Sequence, residues 1–119
     1  HQTRSILFQR MCDFFQRYDL LVTPTVMSEP RDVNKRYIDE VNGVKFDNYV
    51  DWLMHTYTIT LTACPAISIP CGFAKSGLPV GLQLVGPPRG EAELLSAAAA
   101  FEESAGLSGE VPIDPIVRH

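Results

Sequence analysis

The stretch from Leu61 to Phe101 constrains the fold of this 119-residue chain more than any other part of it. Its first apolar run, at 66–69, lies between Pro65 and Pro70. Proline lacks a backbone N–H and fixes its own φ angle, so it occurs at the ends and edges of strands. The pattern therefore predicts a short strand with a proline at each end.

The second half of the same stretch predicts a turn and a further strand. Residues 76–79 read Ser-Gly-Leu-Pro, in which glycine supplies a positive φ and proline presets the direction of the chain. Apolar residues at 80–85 alternate with Gly81 and Gln83, which is typical of a strand with one buried face. Two adjacent runs joined by a glycine turn favour a β-hairpin over 65–86.

An alanine-rich segment at 91–105 predicts a helix that packs against this hairpin. Glu91 and Glu93 lie in its first turn, where the helix dipole favours negative charge. Gly106 follows as the residue expected to take the left-handed conformation that ends many helices. The residues predicted to line one face are Leu94, Leu95, Ala98, Phe101 and Ala105.

A helix and a strand are predicted near the start of the chain. The helix covers 4–17, and the strand at 20–22 is uninterruptedly apolar, which favours burial on both faces before Pro24 stops it. The helical stripe consists of Leu7, Met11, Phe14 (or Phe15) and Tyr18.

The middle of the chain is more polar and carries fewer structural signals. Asn42-Gly43 between valines predicts a small hairpin with a type I′ turn. Asp47 or Asn48 is a candidate cap for a second helix, which is expected to unwind through 56–60, where β-branched residues crowd χ1. The residues of that helix predicted to face inward are Val50, Leu53, Met54 and Tyr57.

These elements predict an α/β fold with a mixed sheet and flanking helices. The net charge is −4 and no basic run is present, which argues against nucleic acid as a partner. No apolar stretch approaches the roughly 20 residues that span a bilayer, so no membrane association is expected. Three cysteines without a pattern favour a reducing cytoplasm, and neither a metal site nor a cofactor is predicted.

The order of several short sequence words resembles the C-terminal portion of the amidase signature family, over approximately residues 4–106. The matching words are Cys64-Pro-Ala-Ile-Ser-Ile-Pro-Cys-Gly72, Gly77-Leu-Pro-Val-Gly-Leu-Gln-Leu-Val-Gly86, Glu91 with Leu94-Leu95, and the earlier Tyr18-Asp-Leu-Leu-Val-Thr-Pro-Thr25. One departure is the word Thr60-Leu-Thr-Ala63, where the family usually has Asn-Leu-Thr-Gly. This departure suggests a subfamily.

The resemblance implies an enzyme that hydrolyses or transfers amides through a serine nucleophile, a second serine in a cis peptide and a lysine base. Those groups belong to the N-terminal part of the family's domain. The present chain has no Gly-Gly-Ser-Ser loop, and its lysines, Lys35, Lys45 and Lys75, lie in polar turns. No catalytic residue is therefore predicted within this chain, which alone should be inactive.

Four residues are candidates for a wall of the substrate pocket: Thr25, Trp52, His55 and Thr56. Thr25 follows a strand in a Pro-Thr turn, and ligands of open α/β sheets tend to bind outside strand ends. A turn-forming role for Thr25 and a helix-edge position for His55 are the simpler interpretations. The hydroxyl of Ser68 is expected to satisfy a nearby backbone group.

The chain begins without methionine and directly with a helical pattern, so a fragment is expected. Residues 1–106 are predicted to be a C-terminal fragment of an amidase-like domain, and 107–119 an extended tail interrupted by prolines. The alternative is a stand-alone, non-catalytic α/β binding or assembly module. The expected partner of the parent enzyme is a small amide substrate. Unpaired sheet edges could also pair between copies of the chain, so a homo-oligomer is a further expectation.

Overall fold

A computed structural model describes residues 2–26, 34, 40–45 and 54–106. The predictions for 47–53 and for the tail at 107–119 concern residues outside these ranges. The helices are α1 (Gln2–Phe15), α2 (Met54–Leu61) and α3 (Glu91–Ala105). The strands are β1 (Leu21–Pro24), β2 (Glu40–Val41), β3 (Val44–Lys45), β4 (Ala66–Phe73) and β5 (Pro79–Val85).

The larger sheet has three strands in the order β1-β5-β4, and both of its pairings are antiparallel. β4 and β5 form the predicted hairpin, which is confirmed. Its turn is closed by hydrogen bonds between Ala74 and Leu78 and between Gly77 and Ala74, with Gly77 at φ +87°. β1 comes from the start of the chain and completes the sheet by pairing with the other edge of β5.

Both outer edges of this sheet carry a proline. Gly86 N–H donates to the Pro65 carbonyl at 2.9 Å, and Thr25 N–H donates to the Gly81 carbonyl at 3.3 Å. Because alternate residues of an antiparallel strand bond to the same neighbour, the nitrogens of Pro24 and Pro70 face away from β5. The prolines therefore remove no bond from the described ladders, and they limit strand addition at that end of the sheet.

The core lies between α3 and one face of the β4–β5 hairpin. The predicted bounds of α3 are confirmed, and Gly106 ends it at φ +66° with its N–H on the Glu102 carbonyl. Leu95 was assigned to the inward face, but it is 58% exposed, because its position on the helix directs it past the sheet. The buried residues are Ile69, Leu84, Leu94 and Ala98, with Leu20, Ile67, Leu82 and Phe101 packed around them.

β1 is less buried than its apolar sequence predicts. Val22 is 52% exposed although it lies opposite Leu84, which is buried. The cause is position: α3 contacts β4 and β5, whereas β1 is an edge strand of the described sheet. The prediction of burial on both faces is therefore wrong for β1 in this structure.

The small hairpin predicted at Asn42-Gly43 is confirmed. β2 and β3 pair in the register Glu40 with Lys45 and Val41 with Val44. Asn42 and Gly43 have φ angles of +51° and +84°, and a type I′ turn requires positive φ at both central residues.

The two helices before the main hairpin differ in length from their predictions. α1 ends at Phe15, two residues early, and Tyr18 packs its ring on Phe14 at a centroid distance of 4.8 Å from the turn that follows. α2 continues through the β-branched run to Leu61, so the predicted unwinding is wrong. Contact between α1 and α2 outweighs the small helix penalty of threonine and isoleucine. None of the described helices is long and apolar enough to cross a membrane.

The segment after α2 is held by one buried threonine. The Thr62 hydroxyl donates to the Ile59 carbonyl at 2.5 Å and accepts the Cys64 N–H at 3.3 Å. Between them Ala63 takes φ +58°, which is the left-handed region. The departure from glycine noted in the sequence thus falls on a position whose backbone favours glycine.

We expect Ala63→Gly to stabilise the fold. A left-handed conformation costs a non-glycine residue roughly 1–2 kcal/mol, and Ala63→Gly would remove this cost. Glycine also makes the unfolded chain more flexible, which offsets about 0.4–1 kcal/mol of the gain. The free energy of unfolding in urea should therefore rise by about 0.5–1 kcal/mol. The matched control is Ala66→Gly, an exposed alanine in β4 whose φ is not positive, which should lower stability by a similar amount. Equal effects of the two variants would contradict the assignment of strain to Ala63.

Candidate functional site

A row of polar side chains crosses the sheet on the face opposite α3. The register of the ladders places Gln83 of β5 between Thr23 of β1 and Ser68 of β4. Successive side chains of a strand point to opposite faces, so all three lie on the face that does not carry Ile69 and Leu84. The row therefore belongs to the side of the sheet that α3 leaves uncovered.

Gln83 is the central member of this row and is only 7% exposed. Its Nε2 donates to the Thr23 hydroxyl at 3.0 Å. The alternation at 80–85 predicts that Gln83 faces solvent, and this is wrong. β5 is the middle strand, and at this level residues on both of its faces are buried, as Gln83 and the adjacent Leu84 show.

A second polar contact joins the two outer strands directly. The hydroxyl oxygens of Thr25 and Ser68 lie 2.6 Å apart, although the residues are 43 positions apart and their strands are not neighbours. The two side chains meet above Gly81 of the central strand. A Cβ atom at that position would lie 2.8 Å from the Thr25 oxygen and 2.9 Å from the Ser68 oxygen. Glycine at 81 is what permits the hydroxyls to meet.

This arrangement is suited to binding rather than to nucleophilic attack. A serine nucleophile needs an adjacent base, and the described side-chain partner of Ser68 is another hydroxyl, which is not basic at neutral pH. Hydroxyls and a carboxamide on a rigid sheet can hold polar groups of a ligand in fixed directions. Within the described ranges, no three His, Cys, Asp or Glu side chains are grouped to hold a metal ion.

The four candidate residues are described to different extents. Thr25 is half-buried and fixed by both its N–H and its hydroxyl. His55 and Thr56 lie in α2, but their side chains are outside the described part of the chain, as is the whole of Trp52. Only the surroundings of Thr25 are therefore defined, and the other three assignments stay predictions.

Sequence reasoning missed the partners of Thr25. Ser68 was expected to satisfy a nearby backbone group, and its hydroxyl instead meets a side chain on another strand. The sequence offered only a weak signal. Ser68 and Gln83 each lie at an alternate position of a strand, but that they share a face is evident only when the register of the two strands is known. The side chains that do bond to nearby backbone groups are two thiols: Cys64 donates to the Thr62 carbonyl and Cys71 to the Val80 carbonyl.

Comparison with known proteins gives a consistent result at the level of the family. A family model described as Amidase matches residues 1–95. The A-subunit of the glutamyl-tRNA(Gln) amidotransferase from Brevibacillus brevis is 37% identical over 111 residues, which cover 93% of this chain and 21% of that protein. Its counterpart from Streptococcus pneumoniae is 38% identical over 112 residues, 94% of this chain and 22% of that one.

Solved structures agree with the sequence comparisons. A bacterial aryl acylamidase of the amidase signature enzymes superposes with a TM-score of 0.74 at 28% identity, over 96% of this chain and 24% of that one. The A-subunit of the glutamyl-tRNA(Gln) amidotransferase from Thermotoga maritima has a TM-score of 0.61 at 25% identity, over 86% and 21% of the two chains. The present chain thus spans about a fifth of the length of the relatives it matches.

Proposed function

The chain belongs to the amidase signature family, and from that premise we propose that it is the C-terminal scaffold and one pocket wall of an enzyme acting on a carbon–nitrogen amide bond. The observation that carries the proposal is that nearly the whole chain aligns with a small part of a larger enzyme subunit: 93% of this chain corresponds to 21% of an amidotransferase A-subunit. A piece of that size supplies structure to an active site whose reactive groups lie elsewhere in the domain.

The reaction proposed for the complete enzyme is acyl transfer through a serine. A nucleophilic serine, a second serine and a lysine would lie outside this chain, and backbone N–H groups would hold the oxyanion of the tetrahedral intermediate. The β1-β5-β4 sheet and α3 would support that centre from one side. Thr25, with Trp52, His55 and Thr56 from the segment before β4, would contact a small amide substrate.

Both hydrolysis and transfer fit this proposal. The relatives that support it include an aryl acylamidase and subunits named amidotransferases. In either case the bond broken is the carbon–nitrogen bond of an amide, and the acyl group passes through an ester with the serine. The three cysteines, all without disulfide bonds, are consistent with the reducing cytoplasm as the proposed location.

The gene that encodes this chain provides the test. We expect the reading frame to continue upstream and to encode a glycine- and serine-rich loop and a lysine. The complete protein should release the amine from an aryl acylamide or ammonia from a primary carboxamide. The 119-residue chain alone, purified by the same route, should do neither, since the proposed nucleophilic serine and lysine base lie outside it and the described side-chain partner of Ser68 is a hydroxyl. A start codon at this boundary, or amide cleavage by the isolated chain, would overturn the proposal.

A further inference from the structure

We propose that Ser68 is a second substrate-contacting residue, and that its oxygen, held in place by the contact with the Thr25 hydroxyl, accepts an N–H group of the amide substrate. The inference rests on the proposed function, because that function places Thr25 in the pocket wall. It adds a residue that neither the sequence words nor the family comparison assigns. The juxtaposition of two hydroxyls from non-neighbouring strands is the observation from which it starts.

The two hydroxyls are held in place from both sides of the central strand. Pro24 presets the backbone before Thr25, and the Thr25 N–H donates to the Gly81 carbonyl. Ser68 lies between Ile67 and Ile69, whose side chains pack into the core under α3. A pair fixed by two strands and a core loses little conformational freedom when a ligand binds, and this favours affinity.

The surroundings of the pair leave it accessible to a ligand. Ser68 is exposed and Thr25 is half-buried in the described structure, and both lie on the face opposite α3. Gly81 beneath them adds no side chain, so nothing on the central strand rises between the two oxygens. The pair therefore lies at the end of β1, on the face of the sheet opposite α3, with the Ser68 hydroxyl exposed.

The chemistry of the pair selects the ligand group. Each hydroxyl oxygen has two lone pairs and one proton, and their mutual bond uses one proton and one lone pair. Whichever oxygen donates in that bond, the Ser68 oxygen retains at least one lone pair for a third group. An acceptor in this position is complementary to an N–H donor, and an amide substrate brings such a donor at its nitrogen.

A purely structural role is the competing explanation. The Thr25–Ser68 bond also ties β1 to β4 across β5, and that function alone would require the same distance. The two roles differ in what they predict for substrates that lack an N–H group. A structural tie affects every substrate alike, whereas an N–H acceptor matters only for amides.

The experiment compares an N–H amide with the ester of the same acyl and leaving groups in the complete protein. Ser68→Ala should raise KM for the amide about tenfold, as expected for the loss of one hydrogen bond to the ligand, with KM for the ester within about twofold of the unaltered enzyme. Ser68→Thr keeps the hydroxyl and should restore the amide KM. Ser96→Ala, an exposed serine on α3, is the matched control and should change neither value.

The outcomes separate this inference from the proposed function. An unaltered protein that cleaves neither substrate refutes the proposed function itself. An active protein in which Ser68→Ala lowers the melting temperature and leaves the amide KM unchanged, or changes both KM values equally, refutes the role of Ser68 alone. If Ser68→Ala does not fold, Ser68→Cys retains the size with a weaker acceptor, and it should show the same amide-specific rise or overturn the inference.

Discussion

Leu84→Asp is expected to abolish the fold of the sheet. Leu84 is 4% exposed in the middle strand and packs with Ile69, Leu94 and Ala98. The substitution removes a buried apolar side chain, worth about 2–5 kcal/mol when truncated, and places an unpaired charge in the core. A total near or above roughly 5 kcal/mol equals the whole stability of many domains, so circular dichroism at neutral pH should show loss of the β signal.

The neighbouring residue provides a matched control for this prediction. Val22 lies directly opposite Leu84 on the same face of the sheet, but it is half exposed. Val22→Asp should therefore cost less than about 1 kcal/mol, because the carboxylate keeps its water. Comparable losses for the two variants would contradict the burial assigned to this face.

Acid should distinguish the charge from the change in packing. Burial raises the pKa of an introduced carboxyl above its usual value of about 4, because it disfavours the charged form. The charge penalty is then absent below the unfolded-state pKa and grows as pH rises through the folded-state value. Leu84→Asp should accordingly recover part of its β signal near pH ~3 relative to pH ~7, whereas Leu84→Asn should show no such recovery.

The parts of the fold that sequence reasoning predicted correctly are those defined by local signals. The β4–β5 hairpin is punctuated by prolines and a glycine turn, and Asn42-Gly43 encodes its own turn type. Helix α3 has a charged first turn and a glycine after its last residue, so both of its ends could be placed. In each case the residues that determine the structure lie within a few positions of it.

The errors arise where distant contacts decide the outcome. The apolar run at 20–22 is compatible with a central or an edge strand, and only its pairing with β5 shows that it is an edge. Gln83 is polar at an alternate position, yet it is buried, because β5 has neighbours on both sides. The contact between Thr25 and Ser68 depends on two registers at once, and neither is encoded locally.

Gly81→Ala should break this contact and weaken the sheet. The added methyl would lie 2.8 and 2.9 Å from the two hydroxyl oxygens, closer than any ordinary contact, so at least one side chain must leave its position. Overpacking of this kind costs about 1–3 kcal/mol, and the lost hydrogen bond adds about 1 kcal/mol. We expect the free energy of unfolding in urea to fall by roughly 2–3 kcal/mol. Gly86→Ala is the control: its nearest neighbour would lie at 3.4 Å, and its effect should stay within about 1 kcal/mol.

The origin of the penalty can be tested by removing the two hydroxyls. In a background of Thr25→Ala and Ser68→Ala the space above Gly81 is empty of these oxygen atoms, and the next atom of the pair is the Thr25 Cβ at 3.4 Å. Gly81→Ala should then cost less than about 1 kcal/mol, so the three substitutions would be strongly non-additive. An equal cost in both backgrounds would mean that the glycine serves the backbone of β5, and that the two hydroxyls do not depend on it.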